Sequence, residues 1–183
     1  MEINLTDEQI YKTLDLVCQR YCQIDMDETG DLSFDREREL MLLSKLSLIE
    51  FCGWVEITVD EILKNYLARS LISSPVSNQC EEEIDNVYGC SNENVQRLFR
   101  RILGGWGYSR LLARNAEFQM ILSHVEAIAG KEVLSKKRKR DIAAHTPMDP
   151  LTQTYFSAPS LVLDKLRKVH PLLLRLRTDV LNF

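Results

Sequence analysis

The chain has 183 residues, 45% of them hydrophobic and 27% charged, a composition ordinary for a soluble globular protein and long enough for one well-buried core. Its formal net charge of −4 conceals a split: residues 1–95 hold 7 Lys and Arg against 20 Asp and Glu, and residues 96–183 hold 16 against 7. A basic segment in an acidic protein suggests a local anion site and argues against a generic polyanion binder. No apolar run approaches the roughly 20 residues that cross a bilayer, and the start Met1, Glu2, Ile3, Asn4, Leu5 lacks the basic and apolar regions of a signal peptide. The expectation is a cytoplasmic protein with no membrane association. Cys18, Cys22, Cys52, Cys80 and Cys90 form no CxxC pair, and their odd number fits a disulfide framework poorly. Reduced thiols, mostly packed in the core, are expected.

Helical patterns run through almost the whole chain. Thr6 and Gln9 make a capping box, Leu5 and Ile10 can staple it, and Ile10, Leu14, Val17, Tyr21 and Ile24 recur at helical spacing. A polar, acidic turn follows up to Ser33. Residues 34–71 carry Leu40, Leu43, Leu46, Ile49, Trp54, Ile57, Ile62 and Tyr66, which predicts one long central helix with Gly53 as its weak point. Residues 73–88 are polar, contain Pro75 and an acidic run from Glu81 to Asp85, and read as a loop. Ser91 with Asn94 opens a short helix over 95–103, which Gly104, Gly105, Trp106 and Gly107 stop, with the tryptophan expected to be buried. Another helix is predicted over 111–129, ending at Gly130. A basic helix carrying Arg140 follows, limited by Pro147, and a last helix spans about 161–176 after a loop punctuated by Pro147, Pro150 and Pro159. The fold class expected is all-α: a single-domain helical bundle over 1–183, with an N-terminal helix and acidic turn over 1–33 and the bundle core over 34–183.

Several short patterns imitate binding sites. Asp25, Asp27, Thr29, Gly30, Asp31 and Ser33 resemble the start of a calcium loop, but its twelfth position, normally a bidentate glutamate, is Arg36, a cation that would repel the ion. Cys18 and Cys22 lie one helical turn apart without a further ligand at zinc spacing. The glycines of 104–107 have the wrong offsets for a phosphate-binding loop. His124 sits in an apolar helical segment and His170 precedes Pro171, which suits packing or surface roles. No metal site and no cofactor is expected.

The segment Arg140, Asp141, Ile142, Ala143, Ala144, His145 stands apart. An arginine followed at this range by a histidine is common by chance in a chain with 14 arginines and 3 histidines; Asp141, the small Ala143 and Ala144, and the helix-ending Pro147 add the specificity. Arginine presents a planar fork of donors matched to phosphate oxygens and keeps its charge at any physiological pH. Histidine moves a proton near neutrality. Together they suit phosphodiester cleavage, and attack by a ribose 2′-hydroxyl would need no metal and would restrict the substrate to RNA. Five residues at about 100° each put Arg140 and His145 roughly 140° apart on an ideal helix, so one helix aims both at one phosphate only if its end unwinds. A symmetric dimer offers a second solution, because two copies of the helix at a two-fold axis would pool their arginines and histidines in one cleft.

These residues resemble the R-x4-6-H signature of the HEPN (higher eukaryote and prokaryote nucleotide-binding) superfamily, in which the arginine is typically followed by Asn, Asp or His and the motif stands before the last helix of a helical bundle. The segment from Ser91 to Phe99 is similar to the one preceding the motif in HEPN proteins of the RiboL-PSP type, whose central helix would correspond to the helix around Trp54, Val55 and Glu56. The resemblance implies a metal-independent endoribonuclease that dimerises, builds a composite RNA site from both protomers, and serves as a toxin paired with an antitoxin or as a phage-defence effector. Arg140 would position the phosphate, His145 would take part in proton transfer, and Asp141 would orient Arg140 or contact the partner's site. Lys136, Lys137, Arg138 and Lys139 would steer RNA electrostatically. Glu56, Asp60 and Thr146 are supporting candidates. In HEPN toxins silenced by nucleotide transfer a tyrosine two residues after the histidine is modified; Pro147 holds that position here, which argues against that regulation. The alternative reading is a non-catalytic HEPN-like module binding a nucleotide, an RNA or a partner protein, and a third is a helical adaptor whose basic run is a solvated face.

Overall fold

A computed structural model of the chain describes residues 5–26, 34–70, 73–87, 89–130, 139–145 and 156–182. The protein is all-α: among the described residues there are seven helices and no strand. They are α1 (Leu5–Met26), α2 (Phe34–Arg69), α3 (Ser74–Asn86), α4 (Asn92–Arg114), α5 (Glu117–Ala129), α6 (Lys139–His145) and α7 (Pro159–Leu181). None of them is long and apolar enough to cross a membrane. The chain divides into two compact units, one of Met1–Trp54 with Ile128–Arg167 and one of Val55–Ala127 with Lys168–Phe183.

In the first unit, α1 buries Ile10, Leu14, Val17 and Ile24, four of the five residues whose spacing predicts the helix. Arg36 donates to the carbonyl of Ile24, so the cation that spoils the calcium-loop pattern satisfies a carbonyl in the last turn of α1. The rest of that pattern, residues 27–33, lies outside the described residues. Trp54 is buried and its Nε1–H donates to the equally buried Asp7 carboxylate at 3.0 Å, which removes the cost of an unmatched indole donor. The 36-residue α2 runs through Gly53 as a continuous helix. Its buried stripe differs from the expected set: Leu48, Phe51 and Cys52 are buried, whereas Leu46 is 37% exposed, and in the part of α2 that belongs to the second unit Val55 is buried and Ile57 is 50% exposed. Apolar residues surround the helix between 40 and 49, so periodicity there identifies a helix without choosing its inward face. In α7, Pro159 takes the first helical position, where a missing N–H costs nothing, and the Leu161 and Val162 amides bond the Ala158 carbonyl.

The second unit corrects three expectations. Residues 73–88 are not a loop; they form α3, with Ser73 in extended backbone before the helix and Pro75 in its first turn, where proline is tolerated. What the acidic run hides is a one-residue anchor: Ile84 is buried, while Glu83 pairs with Arg101 of α4 and Asp85 with Lys64 of α2 at 2.7 Å. The two pairs are solvent-exposed and each is worth less than about 1 kcal/mol, so the burial of Ile84 and the packing of α3 on α4 hold the element. The helix predicted over 111–129 is instead two helices, because Asn115, only 4% exposed, interrupts it. Its Oδ1 accepts the Phe118 amide at 2.8 Å and its Nδ2 donates to Asp179 of α7 at 2.6 Å. Phe118 is fully buried and packs edge-on against Phe99, with centroids 5.0 Å apart, and Tyr108 at 6.4 Å.

The third correction is in α4. The Ser91 hydroxyl accepts the Asn94 amide at 3.1 Å, the cap its sequence predicts. Gly104 then breaks the helix at φ 69°, ψ 170°, a conformation essentially confined to glycine. The helix resumes at once, so the glycines make an elbow and not a stop, and Trp106 is 75% exposed where burial is expected.

Candidate functional site

The Arg140 to His145 segment is α6, fewer than two turns long. Its start is tied to the end of α5 by the Lys139 amide, which donates to the Gly130 carbonyl at 3.1 Å. Ile142 and Ala143 are buried and anchor it, Arg140 and Lys139 are half-buried, and Ala144 is exposed. Backbone geometry at about 100° per residue places positions 140 and 145 on opposite flanks of the buried pair, roughly 140° apart. The backbone is helical through His145, the last described residue of this segment. The side chains of Asp141 and His145, and all of Lys136, Lys137, Arg138, Thr146 and Pro147, lie outside the described residues.

Glu56 and Asp60 belong to the second unit, whereas α6 belongs to the first. Glu56 helps to fix where α4 begins, because its Oε1 accepts the Cys90 amide at 3.0 Å, next to the Ser91 cap. Asp60, one turn along α2, has its pKa pushed up to about 6, chiefly by burial; Lys64 opposes the shift and the carboxylates of Glu56 and Asp85 add to it. A carboxyl in that range can exchange protons near neutrality, a property that suits proton transfer.

Two side chains escape sequence reasoning. Lys45 of α2 is 5% exposed, with its ammonium 5.4 Å from the centre of the Phe156 ring, and burial lowers its pKa. The signal in the sequence is Ser44, Lys45 and Ser47 inside a run of leucines, and all three prove buried. The second is Trp106, whose ring lies 5.2 Å from the Arg110 guanidinium one turn along. Of the five cysteines, all free, only Cys52 and Cys90 are buried; Cys22 is exposed and Cys18 and Cys80 are half-buried. Burial and the neighbouring Cys22 raise the Cys18 pKa, which keeps that thiol protonated and a poor metal ligand. Among the described residues no three His, Cys, Asp or Glu side chains converge as a metal-holding group. An open cleft beside Asn115 is lined by Arg114, Glu117, Arg175, Thr178 and Asp179, and much of its charge is internally matched, since Arg175 pairs with Glu117 and Asp179 accepts from Asn115.

No protein-family model, curated protein or solved structure matches this chain.

Proposed function

We propose that the protein is a metal-independent endoribonuclease of the HEPN type that works in the cytoplasm as a homodimer. The observation that carries this reading is α6, which holds an arginine and a histidine position on one short helix pinned by Ile142 and Ala143. In the proposed reaction a ribose 2′-oxygen attacks the adjacent phosphorus, the 5′-oxygen leaves, and the products are a 2′,3′-cyclic phosphate and a free 5′-hydroxyl. His145 takes part in the proton transfers and Arg140 binds the phosphate and stabilises the charge that develops on its oxygens. Asp141 orients Arg140 or reaches the partner's site, and the basic residues from Lys136 to Lys139 steer the RNA, with Thr146 in support.

The separation of positions 140 and 145 around a backbone that is helical through His145 supports the dimer. One copy of α6 sets the two positions on different flanks, whereas two copies about a two-fold axis would set the arginine of one protomer beside the histidine of the other. An activity of this kind suits a toxin held by an antitoxin or an effector of phage defence.

The test is incubation of the purified full-length protein with total RNA in the presence of a chelator, followed by chemical analysis of the product ends. Cyclic phosphate ends are expected, and His145→Ala should lower the rate by about 100-fold or more while circular dichroism shows the helices intact. Cleavage that persists unchanged in that variant, or that strictly requires a divalent metal, sinks the proposal. RNA binding without cleavage in the wild type would assign the chain to the non-catalytic alternative.

A further inference from the structure

Helix α4, wholly within the second unit, carries five arginines, Arg97, Arg100, Arg101, Arg110 and Arg114, against the single acid Glu93. In its first segment the core takes Val95, Leu98, Phe99 and Ile102, so helical spacing puts Arg97, Arg100 and Arg101 together on the opposite, exposed face. Arg101 is matched by Glu83 and Arg100 lies over the ring of buried Tyr108 at 5.1 Å. Beyond the elbow, Tyr108 and Leu111 face the core, while Trp106, Ser109, Ala113 and Arg114 are exposed.

The glycines around the indole give it room. A Cβ built on Gly104 or Gly105 meets nothing within 4 Å, and both glycines are exposed. A Cβ on Gly107 would approach that of Leu103 to 3.1 Å, so glycine there lets the second segment seat closely on the first with the indole on the outside. The Arg110 guanidinium covers one face of the ring at 5.2 Å, and at 75% exposure the other face remains accessible. An open aromatic face backed by Arg110, on a helix whose exposed faces carry Arg97, Arg100 and Arg114, offers the two requirements of a single strand: a platform for an unstacked base and cations for phosphates.

We propose that the elbow of α4 binds single-stranded polynucleotide, with Trp106 stacking on an unpaired base and Arg97, Arg100 and Arg114 neutralising flanking phosphates. An acidic peptide would satisfy the arginines but offers no flat ring for the indole, and a duplex hides its base faces in the stack. The surface stands on α4 alone and does not rest on the cleavage chemistry of α6.

Its test uses an oligothymidylate of about 12 nucleotides, a probe without the 2′-hydroxyl that the proposed cleavage needs. The protein has two tryptophans, and Trp54 is buried, so quenching of intrinsic fluorescence on titration reports Trp106. Quenching is expected with the wild type, and Trp106→Ala should weaken binding, followed by anisotropy of a labelled probe, by roughly 5- to 150-fold. Trp106→Phe should retain most of the affinity. Arg97→Ala and Arg114→Ala should each flatten the slope of log affinity against log salt by about 0.7. Affinity unchanged in Trp106→Ala with its helicity preserved overturns the proposal. So does an oligoglutamate peptide that binds with the same dependence on Trp106, a result that would make the elbow a protein-docking surface. Because the probe cannot be cut by 2′-hydroxyl attack, a wild-type protein that cleaves RNA but does not bind the probe refutes this inference alone, and a wild-type protein that binds the probe but does not cleave RNA refutes only the nuclease.

Discussion

Replacing Asp60 by asparagine should stabilise the protein at neutral pH and leave its stability in acid almost unchanged. The carboxyl ordinarily titrates near 3.8 and is raised to about 6, first by burial, then by the charges of Glu56 and Asp85, against the attraction of Lys64. A raised carboxylic acid binds its proton more tightly in the folded chain than in the unfolded one. Between about pH 4 and pH 6 the native state therefore holds more protons, and stability falls as pH rises through that window. Above it the charge costs its full amount, and below it both states are protonated and the cost disappears. A shift of about two units corresponds to a ceiling of about 3 kcal/mol. Asp60 is only half-buried, and solvent screening together with the lost attraction to Lys64 reduces the expected gain in Asp60→Asn to on the order of 1 kcal/mol. Urea denaturation followed by circular dichroism at about pH 4 and about pH 7.5 reads the difference. Equal differences at both pH values would refute the reasoning, as would a variant less stable than the wild type at neutral pH.

Gly104→Ala should cost about 1–3 kcal/mol although its methyl group enters open space, because the penalty lies in forcing an L-residue to φ 69°, ψ 170°. A thermal midpoint indistinguishable from that of the wild type would show that the elbow relaxes freely. Asn115→Ala removes both the cap on the Phe118 amide and the donor to Asp179, and should lower stability by about 2 kcal/mol. If adding Asp179→Asn to that variant restores wild-type stability, the uncompensated Asp179 charge and not the cap accounts for the loss.

What can be read from the residues alone follows a physical rule: features encoded within one or two helical turns are legible. The spacing of Ile10, Leu14, Val17 and Ile24 identifies α1 and its inward face together, and the structure buries all four. Ser91 and Asn94 locate the start of α4, and the glycines of 104–107 locate its break, because a cap and a left-handed backbone are local properties. Gly130 marks the end of α5, and the two residues of the α6 motif fall on one helix. The length of α2 follows from the absence of any strong breaker between Phe34 and Arg69.

Tertiary structure decided everything that depends on a distant neighbour. An acidic segment with one useful apolar residue becomes α3 because Ile84 has somewhere to be buried. Asn115 splits a predicted helix because Asp179, 64 positions away in sequence, accepts from its amide. Lys45 is buried with an aromatic ring close to its charge, and Glu56 accepts the amide that precedes the α4 cap. Trp106, which composition alone assigns to a core, is left outside because Tyr108 and Leu111 occupy the inward face of the same segment. Periodicity names the residues that can be buried; only packing determines which of them are, since burial belongs to pairs of surfaces and not to one segment of chain.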